Sequence, residues 1–385
     1  MTPAQTRPRT LMFVVNNPAF FLSHRLPLAL AAQAAGYAVH VATMGGESVT
    51  RIEALGMTHH NVPMTRSGKQ PLQELGTIVA LRRLFKQVRP DVVHLVTIKP
   101  VLYGGIAARL AGVPGMVAAI SGLGFIFMQG GVRARIVRAI VARLYRVALG
   151  HPNSRVIFQN QSDRGMLAQL GAIRDDQVVM IRGAGVELSD FAAAPPPPAP
   201  PVVVTMAARL LIDKGVREYV EAARLLRERG VPVKMRLAGN PDPGNPASIT
   251  DDEVATWRAQ GDVECLGERD DIPALYADSH IVALPSYREG LPKALLEAAA
   301  AGRAVVTTDV PGCRDAIEPD VTGVLVPVKD AASLADTIGQ LAQNETMRTS
   351  MGLAGRALAE QAFDVREVAG KHVHVYDMLC QAAGR

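Results

Sequence analysis

The chain has 385 residues, 48% of them hydrophobic and 20% charged, with a formal net charge of +5. That length exceeds what one hydrophobic core usually serves and the composition is globular, which excludes global disorder and points to two domains. The apolar runs fall far short of the roughly 20 residues that a membrane-spanning helix needs.

The polar stretch Met1–Thr10 shows no secretory pattern, and Cys265, Cys313 and Cys380 lie far apart without metal-ligand spacing. A cytoplasmic chain with reduced thiols is expected. Charge is unevenly divided. Through Ala199 there are 21 Lys+Arg against 9 Asp+Glu, a net of +12, and the remainder carries 20 against 27, a net of −7. A basic half suits an anionic partner, either a membrane surface or a phosphate-bearing substrate.

In chain order, Leu11–Asn16 is β-prone, and Phe21–Gly36 has helical apolar spacing that stops at a glycine. Val39–Ala42 is a second strand, Gln73–Val88 a helix ending before Arg89-Pro90, and Asp91–Val96 a third strand. The helix Tyr103–Ala111 and the strand Met116–Ile120 follow. Within Gly131–Gly150, about 100° per residue places Arg135, Arg138, Arg143 and Arg146 on one face. Val137, Ile140, Val141, Leu144 and Val147 lie opposite. The basic face is expected to rest on anionic lipid headgroups while the apolar face packs on the domain.

The run Ala192-Ala-Ala-Pro-Pro-Pro-Pro-Ala-Pro-Pro201 cannot belong to a sheet, because proline lacks the N–H donor. Beyond it the alternation resumes with strands at Val202–Ala207, Val233–Ala238, Val263–Leu266, Ile281–Leu284 and Ala304–Thr308. Helices are expected at Val216–Arg229, Ile272–Asp278 and Pro292–Ala301. Near-continuous apolar strands alternating with amphipathic helices imply an α/β chain of two Rossmann-like, doubly wound domains. The expected boundaries are residues 1–194, a proline-rich linker at 195–201, a second domain at 202–363, and a helix at 364–385 returning to the first domain. Ligands of such sheets sit beyond the carboxyl ends of the strands. Two such edges facing across a cleft suit a reaction that joins two large substrates.

Three segments carry chemistry. Ser286-Tyr-Arg-Glu-Gly-Leu-Pro-Lys-Ala-Leu-Leu-Glu297 follows a strand and opens a helix. Gly290 permits close backbone approach, Pro292 sits where its missing N–H costs nothing, and Lys293 adds to the positive helix end, an arrangement suited to phosphate. Glu289 lies before the helix and Glu297 inside it, each a two-oxygen acceptor for hydroxyls. In Ala207-Ala-Arg-Leu-Leu-Ile-Asp-Lys-Gly215, Arg209 and Lys214 are cations at a strand edge, able to neutralise a diphosphate without metal. Gly239-Asn240 and Leu266-Gly-Glu-Arg269 follow the next two strands, and the second could border a flat base.

Together these residues resemble the retaining GT-B glycosyltransferases of family 4, whose E-x7-E spacing Glu289 and Glu297 share. Gly302-Arg-Ala-Val-Val-Thr-Thr-Asp-Val-Pro-Gly312 is similar to that family's continuation. The first half resembles it more loosely, through Asp91-Val-Val-His94, Lys99-Pro100 and Ser121-Gly-Leu-Gly-Phe125, in the manner of bacterial enzymes building lipid-linked glycans. The resemblance implies that Arg209 and Lys214 hold the donor diphosphate and stabilise the leaving group, that Glu297 binds ribose hydroxyls, and that Glu289 meets the donor sugar. Gly290, Leu291, Pro292, Lys293, Gly239, Asn240, Leu266 and Arg269 would complete the nucleotide-sugar site.

His24, Lys99 and Asn17 are acceptor-side candidates. Ala208 stands where the family usually has glycine, and Asn16-Asn17-Pro18 where many members have Gly-Gly. The implied activity is retaining, metal-independent transfer of a hexose or N-acetylhexosamine from a UDP-sugar to a glycan acceptor on polyprenyl diphosphate. The nucleotide-sugar is then a co-substrate, with no cofactor and no nucleic-acid partner, and the enzyme lies peripherally on the inner face of the cytoplasmic membrane. A sugar-nucleotide 2-epimerase of similar layout and a non-catalytic sugar-nucleotide binder are the alternatives. No Gly-x-Gly-x-x-Gly turn follows the first strand, which argues against a dinucleotide oxidoreductase.

Overall fold

The computed structural model describes residues 7–64, 71–123, 132–192 and 195–384, with 71–73 and 132–138 described as backbone alone. The chain forms two compact units, Met1–Ala184 with Arg366–Arg385, and Gly185–Val365.

In the first unit, seven parallel strands lie in the order β3-β2-β1-β4-β5-β6-β7. They are β1 (Thr10–Val14), β2 (Ala38–Thr43), β3 (Thr58–Asn61), β4 (Val92–Val96), β5 (Gly115–Ile120), β6 (Ser154–Phe158) and β7 (Val178–Met180). Because side chains alternate across a strand, β1 feeds two cores. Met12 and Val14 join the layer containing Leu81, Phe85, Tyr145 and Leu149, contributed by the helices Pro71–Val88 and Val132–Leu149. Leu11, Phe13 and Val15 join the layer beneath Phe21, Leu28 and the last helix, Val365–Ala382. That helix buries Val368, Ala369, His372, Val375, Tyr376, Leu379 and Cys380, a stripe at three- and four-residue spacing.

Three local expectations are corrected. Phe21–Gly36 is two helices, Pro18–His24 and Leu26–Ala34, parted at Arg25. Pro27 supplies no N–H to a preceding turn and is tolerated only in the first turn of a new helix. The helix expected from Tyr103 begins earlier as a π-turn over Pro100–Gly104, before Gly105–Ala111. In the basic helix, Val141 and Leu144 pack against the core as expected, but Ile140 is 56% and Val147 43% exposed, and the buried residues are Ala142, Tyr145, Ala148 and Leu149. The backbone of Ala148 lies directly against Gly105, which turns Val147 outward.

The second unit holds β8 (Val202–Ala207), β9 (Val233–Ala238), β10 (Glu264–Gly267), β11 (Ile281–Leu284), β12 (Ala304–Thr308) and β13 (Gly323–Val326). All are parallel, in the order β10-β9-β8-β11-β12-β13, around one core. The contact-defined break falls at Ala184/Gly185 rather than in the proline-rich run. Val186 already belongs to the second unit, with its N–H on the Phe363 carbonyl (2.8 Å) and its carbonyl accepting from Val365 (3.1 Å). The proline run is tied down as well: His280 contacts the Pro197 carbonyl through Nε2 at 2.9 Å and accepts from the Val203 N–H at 3.0 Å.

Candidate active site

In the second sheet the strand order reverses between β8 and β11, the point beyond whose carboxyl ends ligands of doubly wound sheets bind. Arg209 and Lys214 follow β8, and Ser286–Lys293 follows β11. The two segments are drawn together by the Tyr287 N–H donating to the Asp213 carbonyl at 2.9 Å. Gly215, at φ +73, makes this approach possible, since a Cβ there would lie 2.1 Å from the Pro285 carbonyl oxygen.

Lys214 Nζ donates to Glu289 Oε1 at 2.5 Å, and Ser286 Oγ donates to the same oxygen at 2.8 Å. The two charged side chains are only 20% and 11% exposed, so water screens their attraction weakly. The helix Lys293–Ala300 then starts at Pro292, which has no side-chain acceptor to cap the free N–H groups of the first turn. Gly290, Leu291 and Pro292 are buried in this turn. Glu297, 9% exposed, sits one turn inside and accepts from Lys293 Nζ at 3.0 Å. Burial raises its pKa above the usual carboxylate range, against the pull of Lys293.

Arg209 is 62% exposed and donates through Nη1 to Asp242 Oδ2 at 2.7 Å. Thus Lys214 and Arg209 emerge from the same strand edge but hold different carboxylates. Gly239 closes the neighbouring turn with its N–H on the Gly267 carbonyl at 2.7 Å, and Asn240 beside it is exposed. Leu266 is half-buried at the end of β10. Arg269 forms a two-pronged, exposed contact with Asp271, at 2.7 and 2.5 Å. Its guanidinium is therefore engaged locally.

Sequence reasoning missed Asp242, Ser286 and Asp213. Asp213 Oδ1 is buried with no hydrogen-bond partner, and burial raises this carboxyl's pKa despite Lys214 beside it. Short-range spacing from the E-x7-E segment could have flagged Ser286, whereas Asp242 is paired only through the fold.

In the first unit the equivalent reversal lies between β1 and β4. Asn17 caps the helix Pro18–His24, its Oδ1 accepting from Ala19 N at 2.7 Å and Phe20 N at 3.4 Å. His24 stacks on Phe20 with ring centroids 4.2 Å apart and shares a 2.7 Å hydrogen bond with Ser23 Oγ. Lys99 Nζ donates to Glu74 Oε1 at 3.0 Å, both side chains largely buried. His94 lies wholly in the core, bonded at 2.7 Å to the Tyr376 hydroxyl, and has no surface to offer a ligand. Of Ser121-Gly-Leu-Gly-Phe125, the residues from 124 onward fall outside the described ones, as do the side chains of Arg135 and Arg138.

Two family descriptions match, "Glycosyl transferase 4-like" over residues 11–160 and "Glycosyl transferases group 1" over residues 201–344. The chain belongs to the GT-B glycosyltransferases. Among relatives of this glycosyltransferase is the N,N'-diacetylbacillosaminyl-diphospho-undecaprenol alpha-1,3-N-acetylgalactosaminyltransferase of Campylobacter jejuni, 28% identical over 93% of this chain and 98% of the relative. Another is the UDP-Gal:alpha-D-GlcNAc-diphosphoundecaprenol alpha-1,3-galactosyltransferase of Escherichia coli, 24% identical over 72% of each chain. Anabaena HepE, solved with UDP and glucose, shares the fold at TM-score 0.75 and 20% identity, over 96% of this chain and 100% of its own. Sucrose-phosphate synthase from Thermosynechococcus elongatus does so at TM-score 0.80 and 19% identity, over 97% and 100%. Among the glycosyltransferase's described residues, no helix is long and apolar enough to cross a membrane.

Proposed function

We propose that this glycosyltransferase moves a hexose or N-acetylhexosamine, with retention and without a metal, from a UDP-sugar to a hydroxyl of a glycan carried on polyprenyl diphosphate. The carrying observation is the convergence of Lys214, Ser286 and Glu289 beside an uncapped helix end at the β8/β11 reversal. Arg209, Lys214, Lys293 and that helix end would neutralise the diphosphate and the charge that grows on the leaving UDP, work that a divalent ion performs elsewhere. Glu297 would accept the ribose hydroxyls, and Glu289, released from Lys214 when phosphate takes its place, would meet the sugar. Gly290, Leu291, Pro292, Gly239, Asn240, Leu266 and Arg269 would line the donor, and Asn17, His24 and Lys99 would lie on the acceptor side.

The leaving phosphate itself would take the acceptor proton as the new bond forms on the face it vacates, so no protein nucleophile is needed. Relatives named for undecaprenyl-diphosphate acceptors and alpha products support this acceptor and this stereochemistry. A panel of nucleoside diphosphates in a thermal-shift assay tests the donor: UDP should raise Tm selectively. Equal response to GDP, or none to either, would refute it. A second arm separates transferase from epimerase and binder, because UDP should be released only when a lipid-diphosphate acceptor is added.

A lipid acceptor brings the chain to the inner face of the cytoplasmic membrane. Arg143 and Arg146 are exposed on the basic helix. Exposed Ile140, Val147, Leu110, Leu75 and Val79 sit on this helix and the helices Gly105–Ala111 and Pro71–Val88. Those helices adjoin one another, with Arg109 donating to the Val147 carbonyl at 2.6 Å and Arg82 to the Leu110 carbonyl at 3.3 Å. Aliphatic side chains interleaved with arginine suit an anionic headgroup layer better than a purely charged face. Co-flotation with anionic but not zwitterionic vesicles is expected, and binding indifferent to lipid charge would contradict it.

A further inference from the structure

We infer that Asp242 is a positioning residue, which sets the Arg209 guanidinium for the donor diphosphate; this rests on the donor reading of Arg209 given above. Arg209 needs such a partner. Its side chain is 62% exposed, and a long cation standing in water samples many rotamers unless something holds it. Asp242 is the opposite kind of group, with its carboxylate 13% exposed.

The loop that carries Asp242 is itself fixed. The Asp242 N–H donates to Ser248 Oγ at 2.9 Å, and its carbonyl accepts from Asn245 N at 3.0 Å. Asn245 Oδ1 in turn accepts from Ala247 N at 3.0 Å. Both ends of the loop are strapped to the residues just after Arg209. Leu210 donates to the Asn240 carbonyl (3.0 Å), Ile212 donates to the Ala247 carbonyl (2.7 Å), and Ile249 donates to the Leu210 carbonyl (2.9 Å). Leu210 and Ile249 anchor this strap in the core at 1% exposure each. Gly239 lets the loop start there, because a Cβ at its φ of +141 would fall 1.9 Å from the Ala208 carbonyl oxygen.

The carboxylate is thus pinned to the same backbone that carries Arg209, and one charge-assisted hydrogen bond from Nη1, one of the five guanidinium donors, holds the side chain. An aspartate here also subtracts positive charge from a phosphate site. Simple competition would make its removal tighten anion binding. Positioning predicts the reverse, since a cation misplaced by an ångström loses most of its worth to the distal phosphate.

The test compares wild type, Asp242→Ala, Asp242→Asn, Arg209→Ala and the Arg209→Ala/Asp242→Ala double variant by calorimetry with UDP and UMP. The readout is the ratio of the two affinities, which isolates the distal phosphate. Asp242→Ala should lower this ratio about tenfold with UMP affinity unchanged, Asp242→Asn less, and the double variant should match Arg209→Ala alone. A ratio unchanged or raised in Asp242→Ala, or losses that add in the double variant, would overturn the inference while leaving the donor site intact. Parallel loss of UMP affinity would show that the aspartate only holds the loop, and would overturn it equally. An unchanged ratio in Arg209→Ala would instead remove the donor reading and the inference with it. Asp242→Asn preserves the size of the side chain and serves if the alanine variant fails to fold.

Discussion

The carboxyl edges of the two sheets share a topology and differ in chemistry. At the β8/β11 reversal three cations stand against carboxylates: Lys214 on Glu289, Lys293 on Glu297 and Arg209 on Asp242. At the β1/β4 reversal the described residues include a helix cap in Asn17 and the ion pair of Lys99 with Glu74. Behind that edge lies a dehydrated cluster of His94, His372, Tyr376 and Arg25, whose guanidinium burial pulls down to about 10. One edge is thus a row of ion pairs that an incoming anion can exchange, and the other is braced by groups that stay where they are. A doubly wound sheet fixes where a ligand binds, and the loop residues decide which ligand.

The largest difference should come from Lys214→Ala, which is expected to reduce kcat/KM about 10²–10³-fold, as loss of a transition-state cation does. Near-normal turnover in steady-state assays would erase the distinction between the two edges. Next is a stability effect confined to the first unit. Burial lowers the His372 pKa from 6.5 to about 4, against a hydrogen bond to the Val368 carbonyl, and burial with the charges of His372 and Arg25 lowers that of His94. Tyr376, the other titratable group against them, is pushed up by burial.

A histidine whose folded pKa is depressed binds its proton more readily unfolded. Its contribution is therefore intact above pH 6.5 and is lost as pH falls toward 4, by about 3 kcal/mol for His372 alone. Urea titrations at pH 7 and 4.5 should show this slope reduced in His372→Leu; an identical slope in both proteins would contradict it. The smallest effect is expected at Lys99→Ala, with KM for the lipid acceptor raised about tenfold and UDP affinity unaltered. A change in UDP affinity there would place donor chemistry on the wrong edge.

What could be read from the sequence follows from how far each signal reaches. Val202–Ala207, Val233–Ala238, Ile281–Leu284 and Ala304–Thr308 occupy the same residues in the fold as in the pattern, because buried parallel strands are unbroken apolar runs bounded by polar turns. Strands β3, β6, β7 and β13 escaped. β3 reads Thr-His-His-Asn, an edge strand with little burial to mark it. The Lys214–Glu289 pair joins residues 75 apart and the Arg209–Asp242 pair residues 33 apart, so neither has a local pattern. Ile140 and Val147 misled for a related reason: periodicity gives a helix two faces, but only its neighbours decide which of them is covered.

Calorimetric titration of UDP against wild type, Lys214→Ala, Glu297→Gln and Lys99→Ala tests the donor assignment most directly. UDP should bind wild type, lose about tenfold or more in affinity in the first two variants, and bind Lys99→Ala as it binds wild type. Because burial raises the Glu297 pKa, wild-type affinity should also fall on acidification at a pH above the ordinary glutamate range, a limb that Glu297→Gln lacks. Failure of UDP to bind, or loss of binding in Lys99→Ala with Lys214→Ala unaffected, would contradict the account.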